Sequence, residues 1–235
     1  SYGATVWCTP GRRLDTCGKI RTRTFNVRIH AMHNALHNGL ARYLSPDQLE
    51  ALRAARVGIA GAGGLGSNAA LMLARSGVGN LVLVDDDVVD ASNLNRQQYW
   101  PRHVGRPKVE ALAELLLELN PEIGVEARRM RLDQNNMAEV LPACPIWVEA
   151  FDGPDDKTLL VETALLGGYR IASASGMGGW GGKAMGKRYL GNLVLVGDFS
   201  TDILLAPPLA PRVTEAAALL ADAVLEMVLG VNEQT

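Results

Sequence analysis

The stretch Arg56-Val-Gly-Ile-Ala-Gly-Ala-Gly-Gly-Leu-Gly-Ser-Asn68 is a short apolar run closed by a cluster of glycines. Val57 to Ala60 is unbroken and apolar, as a strand buried on both faces of a parallel sheet requires. Gly61, Gly63 and Gly66 then fall at the spacing G-x-G-x-x-G. Glycines so spaced allow a tight turn, close approach of a phosphate to backbone N–H groups, and close packing of the next helix on the strand. That helix turns its positive N-terminal end toward the phosphate. Leu81 to Val84 is the next apolar run, and Asp85 stands at its end. An acid about 20 residues past the glycines commonly bonds a ribose hydroxyl. A glycine turn that merely packs a helix would not require strand, turn, helix, strand and acid in this order.

The residues that follow separate two kinds of nucleotide chemistry. Asp85, Asp86, Asp87 and Asp90 crowd the strand end, and Ser92-Asn93-Leu94-Asn95-Arg96-Gln97-Gln98 comes next. Crowded carboxylates suit Mg²⁺, a hard cation that prefers oxygen ligands. Asn93, Asn95 and Arg96 offer donors to polyphosphate oxygens, Arg bidentately. A nicotinamide site holds only a pyrophosphate and has little use for this set. The alternative is a solvated polar loop in which Asn and Asp serve as turn residues.

Together, GAGGLGSN (61–68), VDDDVVD (84–90) and SNLNRQQY (92–99) resemble the ThiF/MoeB/HesA family, bacterial relatives of ubiquitin-activating enzymes. The likeness is closest to the short ThiF-like proteins of thiamin biosynthesis and covers about residues 40–230. The SNLNRQ stretch is specific to this superfamily, whereas the glycine motif is not. The resemblance implies adenylation by ATP-Mg²⁺ of the C-terminal glycine carboxylate of a small ubiquitin-like sulfur carrier of the ThiS kind, with release of pyrophosphate. It implies a phosphate turn through Gly61, Gly63, Gly64 and Gly66, a ribose-binding Asp85 with Asp87 beside it, and an ATP-contacting loop Ser92, Asn93, Leu94, Asn95 and Arg96. It also implies a phosphate-binding Lys108 and a Mg²⁺-holding, catalytic Asp152. A homodimer is expected from the family.

Elementary chemistry bears on these expectations. Lys108 opens a helix just after Pro107, at the positive end of the helix dipole, where a lysine is disfavoured unless an anion lies nearby. The alternative is a lysine pointing into water. Asp152 follows the apolar run Pro145 to Phe151, and open α/β sheets hold their ligands at such strand ends. It could also serve as an N-cap. A carboxylate is already a nucleophile toward phosphorus, so no general base is needed, and cations bringing two anions together should dominate the rate. No Ser/His/Asp triad is evident. His30, His33, His37 and His103 show no metal-ligand spacing with a cysteine.

The chain departs from many family members in three respects. Cys8, Cys17 and Cys144 cannot build the four-cysteine zinc site of many relatives. No cysteine lies beyond Asp152, so adenylation without sulfur handling is expected, with a separate protein as sulfur donor. The arginine that relatives send into the partner subunit's site has no clear counterpart, although Arg42 lies in the right region.

The rest of the chain alternates helix and strand patterns. Ser45-Pro-Asp-Gln48 reads as a capping box, Val109 to Leu119 as an amphipathic helix, and Val125 to Leu132 and Ile146 to Phe151 as strands. Thr158 to Leu166 reads as a helix, Tyr169 to Ala174 as a strand, and Thr214 to Leu229 as a final helix closed by Gly230. This predicts an α/β, Rossmann-like, doubly wound and mostly parallel sheet with a C-terminal antiparallel portion. Gly176 to Gly186 holds six glycines around Met177, Trp180 and Met185. It reads as a mobile loop suited to a lid or to an extended Gly-Gly tail, or as an ordinary surface loop. Lys187 to Asp198 then reads as a single strand. Residues 1–31 carry six basic residues against Asp15 and no periodicity, and are expected to be a disordered or non-native extension before a single domain over 32–235.

The chain has 235 residues, 48% of them hydrophobic, and a formal net charge of −2. This gives ample material for one core and no argument for nucleic acid. No apolar stretch is long enough to span a membrane, and three cysteines without a framework fit a reducing, cytoplasmic setting. Two other readings remain open. One is activation of a molybdopterin-type carrier or of a carboxylate on tRNA. The other is a nucleotide-binding module or NAD-dependent dehydrogenase.

Overall fold

The computed structural model describes residues 23–24, 35–201 and 205–230. The strands are β1 Arg23–Thr24, β2 Arg56–Ala60, β3 Asn80–Val84, β4 Gly124–Arg128, β5 Ile146–Glu149, β6 Arg170–Ala174, β7 Gly186–Leu190 and β8 Leu193–Gly197. The helices are α1 Ala35–Leu40, α2 Pro46–Ala54, α3 Gly64–Arg75, α4 Lys108–Leu119, α5 Met137–Val140, α6 Pro154–Leu166 and α7 Ala210–Leu229. Of the expected extension over 1–31, only the two residues of β1 are described; Cys8, Cys17 and His30 lie outside the described residues, as does His33.

The strands form one sheet in the order β1-β4-β3-β2-β5-β6-β8-β7. All pairings from β4 to β8 are parallel, and β1 and β7 run antiparallel on the two edges. This is the mostly parallel, doubly wound sheet with an antiparallel C-terminal portion. The parallel winding begins in the middle at β2, runs outward through β3 and β4, then returns to β5 on the other side. The C-terminal ends of β2 and β5 therefore flank the point where the winding reverses, the crevice in which open α/β sheets hold ligands.

Helices cover both faces. On one face α3, α4 and α7 bury Leu73, Leu112, Leu116, Val213, Leu220 and Val224 against Ile59, Leu81 and Leu83. The buried residues of α7 recur at helical spacing, and fully burying each Val or Leu contributes about 1.5–3 kcal/mol. The other face carries α5 and α6, with Leu141, Leu160 and Ile171 around Trp147. The fully buried Trp147 occupies the space that a Cβ at Gly58 would need, 2.3 Å from its ring. Its indole N–H is shared between the carbonyls of Leu141 and Cys144, each at 3.1 Å.

Local signals account for the ends of several elements. Ser45 and Gln48 form the expected reciprocal cap of α2. Gly230 ends α7 with φ +82°. The expected single strand from Lys187 to Asp198 is instead a hairpin, β7 and β8, reversing at Gly191 with φ +61°. Gly191-Asn192 is a two-residue loop of the kind that closes hairpins.

Candidate functional site

The glycine turn is built by exclusion of side chains. Gly61 follows β2 with φ +96°, and its N–H donates to the carbonyl of Val84 at 2.9 Å. A Cβ on Gly66 would lie 1.8 Å from the carbonyl oxygen of Gly61, so only glycine lets α3 start this close to the strand. Gly63 meets nothing nearer than 3.7 Å and lines a cavity; a Cβ on Gly64 would touch Val213 and approach Arg96. The first turn of α3 thus faces open space with its N–H groups, as an anion site requires.

Asp85 braces this turn. Its Oδ2 accepts the Ala62 N–H at 2.6 Å and its Oδ1 accepts the Asp87 N–H at 2.8 Å. Burial pushes its carboxyl up from the ordinary value, partly offset by the Ala62 N–H and by Lys108. Each oxygen keeps a second lone pair free for a hydroxyl. Carboxylate oxygens of Asp85, Asp86 and Asp87 all come within 4.8 Å of one another, a hard oxygen set that a divalent cation would suit.

The polar loop is a 3-10 turn, Ala91–Asn95, capped by Asp90. Asp90 accepts the Ser92 N–H at 2.8 Å and the Ser92 hydroxyl at 2.6 Å, while Asn93 accepts the Asp90 N–H. Ser92 and Asn93 therefore shape the loop, and those Ser92 and Asp90 contacts hold the Asp90 carboxyl below its ordinary value. Leu94 packs against the core. Arg96 donates to Asn95 Oδ1 at 2.8 Å and to the Ser92 carbonyl, and its side chain lines a cavity beside Gly64.

Residues that sequence reasoning assigned no role hold the loop on the turn. Asn68 donates to the carbonyls of Gly64 at 2.6 Å and Arg96 at 3.0 Å, and accepts from Gln98. The buried Tyr99 hydroxyl lies 2.7 Å from the Ala62 carbonyl and 3.3 Å from that of Lys108. One phenol thus ties the glycine turn to the start of α4.

Lys108 does not point into water. Its side chain is buried, with Nζ 2.7 Å from Asp87 Oδ2. Asp152 is exposed just past β5 and is not a helix cap: Gly153 occupies the N-cap position of α6 without a side-chain bond.

Two cavities open at this edge of the sheet. The smaller, about 270 Å³, is lined by Gly61, Gly63, Asp85, Asp87, Lys108 and Leu132 among others. The larger, about 640 Å³, is lined by Gly64, Arg96, Lys157, Gly176, Met177 and Phe199 among others. Phe151 and Asp152 line both. The geometry thus gathers Gly61, Gly63, Gly64, Asp85, Asp87, Arg96, Lys108 and Asp152 around two adjoining spaces, while Ser92, Asn93 and Asn95 bond within the polar loop that carries Arg96.

The glycine-rich segment forms one wall of the larger space. Gly176, Gly179, Gly181 and Gly182 all have positive φ, so the path itself demands glycine there. The segment is tied down at several points. Gly178 donates to Thr201 Oγ1, Gly179 to the Pro207 carbonyl, and Arg212 to the Lys183 carbonyl at 2.9 Å. Arg212 also pairs with the buried Asp198, which accepts from Ser200 and Thr201. Burial would raise the Asp198 carboxyl, but bonds from Thr201 and Ser200, with the Arg212 charge, outweigh it and bring it down to about 2. These bonds hold Phe199 in the left-handed region, φ 57°, with its ring 3.8 Å under the Arg188 guanidinium.

His103 is buried; its Nδ1 accepts the Trp100 N–H at 3.1 Å, and burial, then Arg102, lower its pKa. Cys144 is buried, and burial pushes its thiol up to about 12. No described helix is long and apolar enough to cross a membrane.

A model of the ThiF family matches residues 36–188, more than half of the chain. The adenylyltransferase and sulfurtransferase UBA4 of Yarrowia lipolytica is 40% identical over 126 residues, covering 54% of this chain and 32% of that protein. The SAMP-activating enzyme E1 of Haloferax volcanii is 42% identical over 118 residues, covering 50% and 44%. The chain therefore spans less than half the length of these curated relatives. Among solved structures, the E. coli tRNA N6-threonylcarbamoyladenosine dehydratase TcdA, in complex with ATP, superimposes with a TM-score of 0.74 at 22% identity. That likeness covers 82% of this chain and 93% of that one, and shows the fold.

Proposed function

The chain belongs to the ThiF family, and on that premise we propose that it adenylates the C-terminal carboxylate of a small ubiquitin-like carrier protein with ATP. The observation that carries this reading is the meeting of two cavities at Phe151 and Asp152. One is walled by a glycine turn and a ribose-type acid, the other by a glycine-rich segment with apolar side chains. A nucleotide and an extended glycine tail would meet at that junction.

In this reading the adenosine lies along Gly61 and Gly63 with its ribose at Asp85. The phosphates run over the start of α3 toward Arg96 and Lys108. Mg²⁺, which prefers oxygen ligands, would sit between Asp152 and the phosphates, with Asp87 nearby, and would spread the developing charge. An oxygen of the carrier's terminal carboxylate attacks the α-phosphorus. That P–O bond forms as the bond to the β-phosphoryl group breaks, and pyrophosphate leaves with the electron pair. No proton moves, so the protein's task is positioning two anions and neutralising them.

Several features support a carrier of the sulfur-transferring kind. Relatives named for adenylyltransferase and SAMP-activating activity match about half of the chain at 40% and 42% identity. The one described cysteine is buried and unreactive, which fits activation here and sulfur delivery by another protein. We assign the carrier to the thiamin type on the likeness of the glycine and SNLNRQQY motifs, with the protein acting as a homodimer without zinc. ATP–pyrophosphate exchange with recombinant ubiquitin-like carriers ending in Gly-Gly tests the reading. Exchange that requires the terminal glycine supports it, and absence of exchange with every carrier sinks it.

A further inference from the structure

Glu149, the last residue of β5, is completely buried, directly beneath the Phe151–Asp152 turn. Both of its carboxylate oxygens are engaged. Its Oε1 accepts the Phe151 N–H at 2.7 Å, and its Oε2 accepts the Ser173 hydroxyl at 2.6 Å and Nζ of Lys157. Lys157 stands in the first turns of α6, the positive end of that helix, where a lysine is disfavoured. The helix already has Asp155 and Asp156 there, the residues expected at an N-terminus.

A buried ion pair is a poor device for stability, since an apolar pair of similar volume does as well or better. The placement of Lys157 gives this one another meaning. Its side chain is 26% exposed and lines the larger cavity together with Asp152 and Arg96. An ammonium group has three N–H donors. Glu149 takes one, and no other described residue takes the remaining two. Among the described residues, Arg96 and Lys157 are the two basic side chains lining this cavity. Arg96 hangs from the polar loop over the start of α3, on the phosphate side. Lys157 enters the same cavity from α6, held by Glu149 at the end of β5, and Ser175, Gly176 and Met177 also line that cavity.

We propose that Lys157 is a catalytic residue that receives the carrier's terminal carboxylate and holds it against the α-phosphate. Glu149 is its positioning residue. This rests on the adenylation reading above. Two anions must approach within bonding distance, and a cation fixed between them removes the repulsion without having to reorganise during the reaction. Glu149 supplies that fixity. By gripping the Phe151 N–H with its other oxygen, it sets the turn that presents Asp152 as well. As the carboxylate oxygen bonds to phosphorus and pyrophosphate departs, the two spare N–H groups of Lys157 stay on the acyl phosphate oxygens.

Replacing Lys157 alone would strand a buried carboxylate, so the decisive variant is the double substitution Glu149→Gln, Lys157→Met, which removes both charges. Its thermal midpoint and its affinity for ATP-Mg²⁺, measured by equilibrium dialysis without carrier, should stay within about twofold of wild type in Kd. Carrier-dependent ATP–pyrophosphate exchange should fall by about 100-fold or more, the loss typical of removing one preorganised electrostatic group. Lys157→Arg, which keeps the charge, should recover part of the rate. Glu149→Gln alone should raise KM for the carrier more than KM for ATP. A double variant that exchanges at the wild-type rate, or one that loses ATP affinity in step with exchange, overturns the assignment. A wild-type protein that binds ATP yet exchanges with no carrier overturns the adenylation reading and this inference together.

Discussion

Lys108 Nζ lies 2.7 Å from Asp87 Oδ2, with the lysine side chain 8% exposed and the aspartate 64% exposed. The residue expected to greet a phosphate is thus already paired with an acid at the rim of the site. In the proposed complex Asp87 turns to the metal and hands the lysine to the polyphosphate. Lys108→Ala should then weaken ATP binding by at least tenfold, in line with about 1.5–3 kcal/mol for a hydrogen bond to a charged group. Asp87→Asn should instead raise the Mg²⁺ concentration needed for half-maximal exchange. Titrating Mg²⁺ at saturating ATP checks this. An unchanged Mg²⁺ requirement with a lowered thermal midpoint would make Asp87 a plain salt-bridge partner.

Arg96→Ala and Asp152→Ala should each abolish exchange while the fold stays intact. Asp152 makes no hydrogen bond among the described residues, so its loss should change stability by about 0.5 kcal/mol or less. Among the described residues the Arg96 side chain bonds only within its own loop, to Asn95 and Ser92. Circular dichroism melts beside exchange rates will separate the two effects. Full activity in either variant would contradict the site assignment.

The Asp198–Arg212 pair predicts an acid signature. The carboxyl sits at about 2 in the folded protein, below its ordinary 3.8. Its contribution to stability is therefore complete above about pH 4 and is lost as pH falls through about 2. The urea midpoint of the wild-type protein should drop more steeply between pH 4 and pH 2 than that of Asp198→Asn. At neutral pH the variant should be the less stable protein, because Arg212 is left buried without its partner. Equal slopes for the two proteins in acid would refute the pairing's role.

Cys144 should take no part in the chemistry. With its thiol buried and pushed up to about 12, there is essentially no thiolate at neutral pH. Cys144→Ala should exchange at the wild-type rate, and iodoacetamide should label Cys144 only after unfolding. A covalent adduct between Cys144 and a carrier would overturn adenylation without sulfur handling on this half of the chain.

The parts of this molecule legible in its sequence are those fixed by near neighbours. The turn at Gly61 to Gly66, the cap at Ser45 and the stop at Gly230 each follow from steric or hydrogen-bonding needs within a few residues, and Asp85 from its place at the end of an apolar strand. The hairpin of β7 and β8 was also marked, by Gly191-Asn192, but the apolar run Leu193 to Val196 directly after it drew the whole stretch into one strand. The supports of the site were not legible. Tyr99 reaches Ala62 across 37 positions, and Ser173 reaches Glu149 across 24. Glu149 reads in sequence as an acid ending an apolar run, and nothing local says that it is buried beneath Asp152. Lys157 reads as an ordinary charge on a helix until the sheet brings β5 and β6 together under it. Nor was the internal wiring of the polar loop legible: Asp90 accepts from Ser92, and Asn93 accepts from Asp90, in shaping the turn.

The central claim is that ATP is cut between its α- and β-phosphates by a carrier carboxylate. Incubating the protein with Mg²⁺, ATP labelled at the α-phosphate and a carrier ending in Gly-Gly addresses it directly. The account predicts label transferred to the carrier as an acyl-adenylate, with pyrophosphate released in equal amount, and no transfer when the terminal glycine is removed. Release of ADP and phosphate, or label that never reaches the carrier, would contradict it.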